Sequence, residues 1–193
     1  WDRLEGGGLP EPPWGKIGLT ISADRPETVY ALIETSSNRD FAPSDPFSGV
    51  LWRSDDRGDS WTRVSSDLDL ISRPLYYTRL LASPADADEL HFMGASQRIS
   101  RDGGATQSAA DPQPGYDHHD LWIDPTDPER RIAGHDGGVS ITTNGGKSWY
   151  RPQLPIAQMY HGHVDDRIPY FVYGNRQDGS SMRGPSNTRT GGE

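Results

Sequence analysis

The chain has 193 residues and a net charge of −9, from 19 Lys and Arg against 28 Asp and Glu. That balance argues against the basic face that nucleic acid or an anionic membrane would need, and the absence of Cys excludes disulfides and thiolate-bound zinc. No apolar run approaches the roughly 18 residues of a membrane-spanning helix, so neither nucleic-acid binding nor membrane insertion is expected.

Gly at 22 and Pro at 16 work against helix, while 6 Trp and 8 Tyr suit sheets, so the predicted class is all-β with many tight turns. Three octets then set a repeat: 54–61 (SDDRGDSW), 100–107 (SRDGGATQ) and 142–149 (TTNGGKSW), starting 46 and 42 residues apart. A second pattern recurs in phase, anchored at Asp24, Pro84, Pro125 and Asp166, with spacings of 60, 41 and 41. The longer first interval holds a polar, Pro-containing insertion, 36–48, read as a loop. A period near 42 is that of a propeller blade of four short antiparallel strands.

In chain order, 1–10 resembles the segments that follow the octets, since Trp1-Asp2-Arg3-Leu4 matches Trp61-Thr62-Arg63-Val64, and is predicted as strand D of a preceding blade. Blades are predicted at 15–70, 75–112 and 116–154, with an incomplete blade at 157–193. In the third, strand A is expected at 119–124, strand B at 131–134, a Gly137-Gly138 turn, strand C at 139–142, and strand D from Trp149. The chain thus opens inside one blade and stops inside another. The expectation is a partial propeller belonging to a larger protein of seven or more blades; a closed four-bladed ring is the alternative.

The octets have a structural logic. Asp56, Asp102 and Asn144 can accept hydrogen bonds from turn amides. Gly58, Gly104 and Gly146 permit positive φ. Ser54, Ser100 and Thr142 can tie the hairpin, and Trp61 and Trp149 can cover it. These residues are read as fold hardware; Gln107 lacks the aromatic and Asn144 replaces Asp. Trp52, Tyr76, Tyr77 and Trp122 are read as interblade packing, Arg130-Arg131 as a solvated turn, and the acidic stretch 85–89 as a surface turn. Trp1 and Trp14 are loop aromatics able to stack on a sugar. The Gly-rich tail, 188–193, is read as flexible.

The octets resemble Asp-boxes, also called BNR repeats, of sialidases, xyloglucanases and sortilins. The stretch from Tyr116 to Gly192 resembles the sortilin-N-terminal-like BNR propellers often labelled glycosyl hydrolase in bacteria. The resemblance implies a large multi-bladed propeller and a secreted, periplasmic or cell-surface location.

Propeller topology places the D→A and B→C connections on the usual ligand face. There the sequence puts Asp117, His118, His119 and Asp120, then His135 and Asp136, and one repeat later Met159 to His161, His163, Arg176, Gln177 and Asp178. His119, His135, Asp136, His161, Arg176, Gln177 and Asp178 are the ligand-binding candidates, for a peptide, protein or glycan. Paired carboxylates of a glycosidase would come from Asp117, Asp120, Asp136 and Asp178. A sialidase would also need an Arg cluster and a Tyr; Arg176 and Tyr160 are present, without the full set. No cofactor is predicted; a divalent metal at the His/Asp cluster is the minor alternative. A scaffold completed by the remaining blades or another chain is the third functional class.

Overall fold

The structure is a computed structural model that describes Leu4 and residues 6–35, 50–71, 74, 76, 78–152, 159–176 and 181–187. It divides into two compact units, Trp1–Pro152 and Gln153–Glu193. Among the described residues there is no α-helix, and no helix is long and apolar enough to cross a membrane.

Unit 1 holds three antiparallel meanders. The first is β1 (Ile17–Ile21), β2 (Val29–Ile33), β3 (Leu51–Ser54) and β4 (Thr62–Ser65). A short 3-10 helix, Leu68–Ile71, leads to β5 (Arg79–Ser83), β6 (Asp86–Met93), β7 (Arg98–Ser100) and β8 (Ser108–Ala109). The third is β9 (His118–Ile123), β10 (Arg131–His135) and β11 (Gly138–Thr142), so the expected strand positions hold to within one residue. Its fourth strand is reduced to a single bridge, Ile141↔Tyr150. Pro152, two residues on, has no N–H to extend the ladder. Of 1–10, the described part shows no strand: the chain turns at Gly7-Gly8, and Gly7 O accepts from Trp61 N at 2.6 Å.

Strand alternation explains how the sheets stack. In β2, Tyr30 and Leu32 join Val50, Leu51, Leu80, Ala82, Leu90 and Phe92 in one core between the first two sheets. Ala31, Ile33 and Trp52 point the other way, under Leu9, Trp14 and Trp61. In β6, Leu90 and Phe92 face the first sheet, while Met93 joins Leu121, Ile123 and Ala133 against the third. The second sheet therefore packs apolar side chains on both faces. Trp52 is buried as expected, but Trp122 is 48% and Tyr76 42% exposed. Trp122 alternates with the inward Leu121 and Ile123, and its cross-strand row runs through Ile132, Ile141 and Tyr150 on the opposite face.

The acidic stretch 85–89 is only in part a surface turn: Ala85 lies in the turn, while Asp86 opens β6 and the residues after it follow the same alternation. Asp88 turns toward the first sheet, where Arg53 Nη1 lies at 2.6 Å and Tyr30 Oη donates at 3.3 Å. Burial is the largest cause that pushes the Tyr30 hydroxyl up to about 12. Glu89 turns toward the third sheet. There Arg131 Nη1 lies at 2.9 Å and His91 Nε2 at 2.7 Å. Arg131, expected in a solvated turn, is thus a buried strand residue, while Arg130 pairs with Asp124 at 3.2 Å.

The three octets fold alike. Ser54 Oγ accepts from Gly58 N at 2.8 Å, Ser100 Oγ from Gly104 N at 2.8 Å and Thr142 Oγ1 from Gly146 N at 3.1 Å. Asp56, Asp102 and Asn144 accept the amides of Ser60, Thr106 and Ser148 at 2.8, 2.9 and 3.0 Å. Hydrogen bonds from the Ser60 and Thr106 hydroxyls and amides hold the Asp56 and Asp102 carboxyls down at about 2. Where Trp is missing, Gln107 Nε2 donates to Asp67 instead. The glycines at position five have φ of +102, +94 and +90°. Gly104→Ala is expected to be the costliest change among them. Its Cβ would overlap Leu51 Cδ2, whereas at Gly58 the nearest atom is Trp61 Cζ2 at 3.6 Å. Overpacking adds about 1–3 kcal/mol to the backbone strain both variants share. Urea unfolding should rank Gly104→Ala below Gly58→Ala, and equal losses would contradict this packing.

Unit 2 is a separate three-stranded meander: β12 (Met159–Val164), β13 (Phe171–Arg176) and β14 (Ser181–Pro185). Asp165 organises its first turn, accepting from Phe171 N at 2.9 Å and Tyr173 Oη at 2.8 Å, and pairing with Arg167. The backbone bond from Phe171 is the largest influence on its carboxyl, which is held well below the ordinary range.

Candidate functional site

The D→A and B→C ends of the third sheet meet as expected, because His118 opens β9 opposite His135, the last residue of β10. A bulge between Gly134 and His135 re-aims the end of the strand. Asp117 adopts φ of +49°, which turns the chain into β9, and its carbonyl accepts from Asp136 N at 3.1 Å. The second sheet anchors this corner: Asp117 N and His118 N donate to Ala95 O and Gly94 O at 3.0 and 2.8 Å.

Alternation separates the two adjacent histidines, as the sequence predicts. His118 is buried, 1% exposed, with Nδ1 3.2 Å from Gly94 O and Nε2 unpartnered. His119 faces outward, with Nε2 2.8 Å from Asp136 Oδ1, and Tyr76 meets it edge-on at 5.6 Å. Exposed Tyr116 stands nearby, its ring 6.2 Å from that of His135.

His135 is part of the interior. Its Nε2 lies 2.9 Å from Ser140 Oγ, which donates to Pro114 O at 2.5 Å, and its ring sits 5.9 Å from that of His118. A Cβ at Gly115 would overlap the imidazole, so that glycine makes the room. Burial is the main cause that lowers the pKa of both His118 and His135 and keeps them neutral.

Of the carboxylate candidates, Asp117 and Asp136 are backbone-bonded at 3.1 Å. Asp120 pairs with Arg79 at 3.0 Å, on a largely exposed part of the sheet, and Asp136 pairs with His119. His161 lies on β12 opposite Asn175, in the second unit. Arg176 ends β13, opposite Met159. Gln177 and Asp178, together with Trp1, Tyr77, the insertion 36–48 and the tail 188–193, lie outside the described residues. Trp14 donates its indole N–H to Pro10 O at 3.0 Å and packs on the Trp52 cluster. Among the described residues, no three His, Asp or Glu converge where they could hold a metal.

Sequence reasoning missed Tyr116, and it assigned Tyr76 to packing. The signal for Tyr116 was its position one residue before the Asp117-His118 pair. For Tyr76 there was none, because its contact with His119 is made across 43 residues of chain.

No family model matches the chain, and no curated protein matches it. Solved propeller structures do. A GH74 enzyme of Niastella koreensis aligns with 86% of this chain at 18% identity and a TM-score of 0.51. YCF48 of Cyanidioschyzon merolae aligns with 94% at 15% identity and a TM-score of 0.51. YCF48 bound to a D1 peptide aligns with 94% at 16% identity and a TM-score of 0.50. The chain has the propeller fold. It spans 22% of the GH74 enzyme and about 60% of YCF48.

Proposed function

We propose that the chain is the ligand-binding part of a propeller protein, with octets of the Asp-box kind, and that its ligand is a peptide or protein segment. The observation that carries this is the outward-facing His119–Asp136 pair at 2.8 Å, flanked by exposed Tyr76 and Tyr116. An imidazole, a carboxylate and two phenol rings on a braced corner supply hydrogen bonds and flat apolar area together. Such anchors suit a peptide. The fold likeness to a YCF48 structure that holds a D1 peptide supports the same choice.

Glycoside hydrolysis needs two carboxylates about 5–9.5 Å apart, one of them pushed up to serve as acid. Asp120 and Asp136 are each engaged by a cation or imidazole. The carboxyls with displaced pKa, among them Glu89, Asp102 and Asp124, all move down.

A peptide array probed with the whole chain tests this reading. Peptides should be retained, and His119→Ala with Asp136→Asn should weaken binding by about tenfold or more. Release of sugars from xyloglucan, lost in Asp136→Asn, would overturn it.

A further inference from the structure

At the octet end of unit 1, away from the His119 corner, a cavity of about 240 Å3 opens between the second and third sheets. Buried His91, Gln97 and Arg131 form its floor, and exposed Arg101 and Lys147 stand at its mouth with Trp149 alongside. Three cations and one carboxylate, Asp111, thus border one cavity in a chain whose net charge is −9. Arg131 is committed to Glu89 and to Pro128 O, at 2.9 Å each. Arg101 and Lys147 make no close ion pair among the described residues, and Arg101 acts on Glu89 only at longer range.

Two buried atoms here lack partners, Gln97 Oε1 and Trp149 Nε1. The orientation of Gln97 follows from its neighbours. Burial works against the Glu89 carboxylate, but His91 and Arg131 outweigh it and hold its pKa at about 2. Glu89 therefore accepts, and His91 Nε2 carries the proton at 2.7 Å. His91 Nδ1 then accepts from Gln97 Nε2 at 3.3 Å. That leaves Oε1 as an acceptor without a donor on a residue only 2% exposed. Trp149 is the reverse, a donor without an acceptor. Its counterpart Trp61 gives its indole N–H to Gly58 O at 2.9 Å. An unmet buried polar atom is destabilising. Water can meet single atoms, but it gives no reason for two exposed cations over the same opening.

We propose that this cavity binds a small hydroxylated anion, a hydroxy acid or a sugar phosphate. Its oxyanion sits between Arg101, Lys147 and the indole N–H, and its hydroxyl donates to Gln97 Oε1. The site is independent of the peptide surface. The chain's indole N–H signals in 15N NMR test it, with Trp149 assigned through Trp149→Phe. Glycerate and glycerol 3-phosphate are titrated to about 20 mM, a range that detects millimolar affinity, beside sulfate and glycerol. The Trp149 signal should shift and saturate with glycerate or glycerol 3-phosphate, and the tighter one identifies the anion. Lys147→Met, an exposed change, should weaken the response about tenfold, and Gln97→Leu should erase the preference over sulfate. A Trp149 signal unmoved by both, or moved equally by sulfate or by glycerol, overturns the proposal.

Discussion

Replacing Arg131 by Met should cost about 3–5 kcal/mol, because it leaves the Glu89 carboxylate buried without its cation. The two side chains are 10% and 16% exposed and 2.9 Å apart, so water cannot take the place of the guanidinium. Through Glu89 the same guanidinium ties β10 to β6. In a domain of this size the loss corresponds to a fall in Tm of roughly 10 °C. Glu89→Gln added to that variant should recover more than half, since the uncompensated charge is gone. Thermal unfolding by circular dichroism of the parent and the two variants reads this directly. An Arg131→Met variant as stable as the parent would mean that the pair does not join the sheets.

Stability should also fall steeply in mild acid. His91, His118 and His135 all have pKa values lowered chiefly by burial. A lowered histidine binds its proton in the unfolded chain first. Its stabilising effect is complete above the unfolded value near 6.5 and is lost as pH falls below it. The three losses share one sign, so they add as pH falls below that value. A second loss follows below about pH 4.3, where Glu89, held at about 2 in the fold, takes up its proton more readily in the unfolded chain. Calorimetric Tm values at pH 7.5, 6.5 and 5.5 should drop progressively, and His118→Gln should flatten the slope. A flat profile over that range would show the imidazoles to be solvated.

The features legible in the sequence were the local ones. The octets announce their turns because Ser, Asp and Gly act within eight residues, and the strands of the third sheet fall where alternation puts them. That His119 and Asp136 share one end of the third sheet was legible too, since the strand order places both connections there; their pairing was not. What was hidden depends on the neighbouring sheet. The segment 85–89 looks like a turn because acidic residues disfavour strands. Only Arg53 and Arg131, 35 residues before Asp88 and 42 after Glu89, make a strand of it. Arg131 was misread for the same reason. Trp122 was assigned to packing by residue type, yet its register with Ile132 sets it on the uncovered face.

If the octets are the repeated hardware of stacked propeller blades, native-state amide hydrogen exchange of the whole chain should show it. The amides of Gly58, Gly104 and Gly146 sit in turns, where exchange is ordinarily fast, yet each is bonded to a Ser or Thr oxygen. They should be protected alongside β2 and β6, with buried Gly104 slowest of the three. Exchange of all three at coil rates while the strands stay protected would contradict the account.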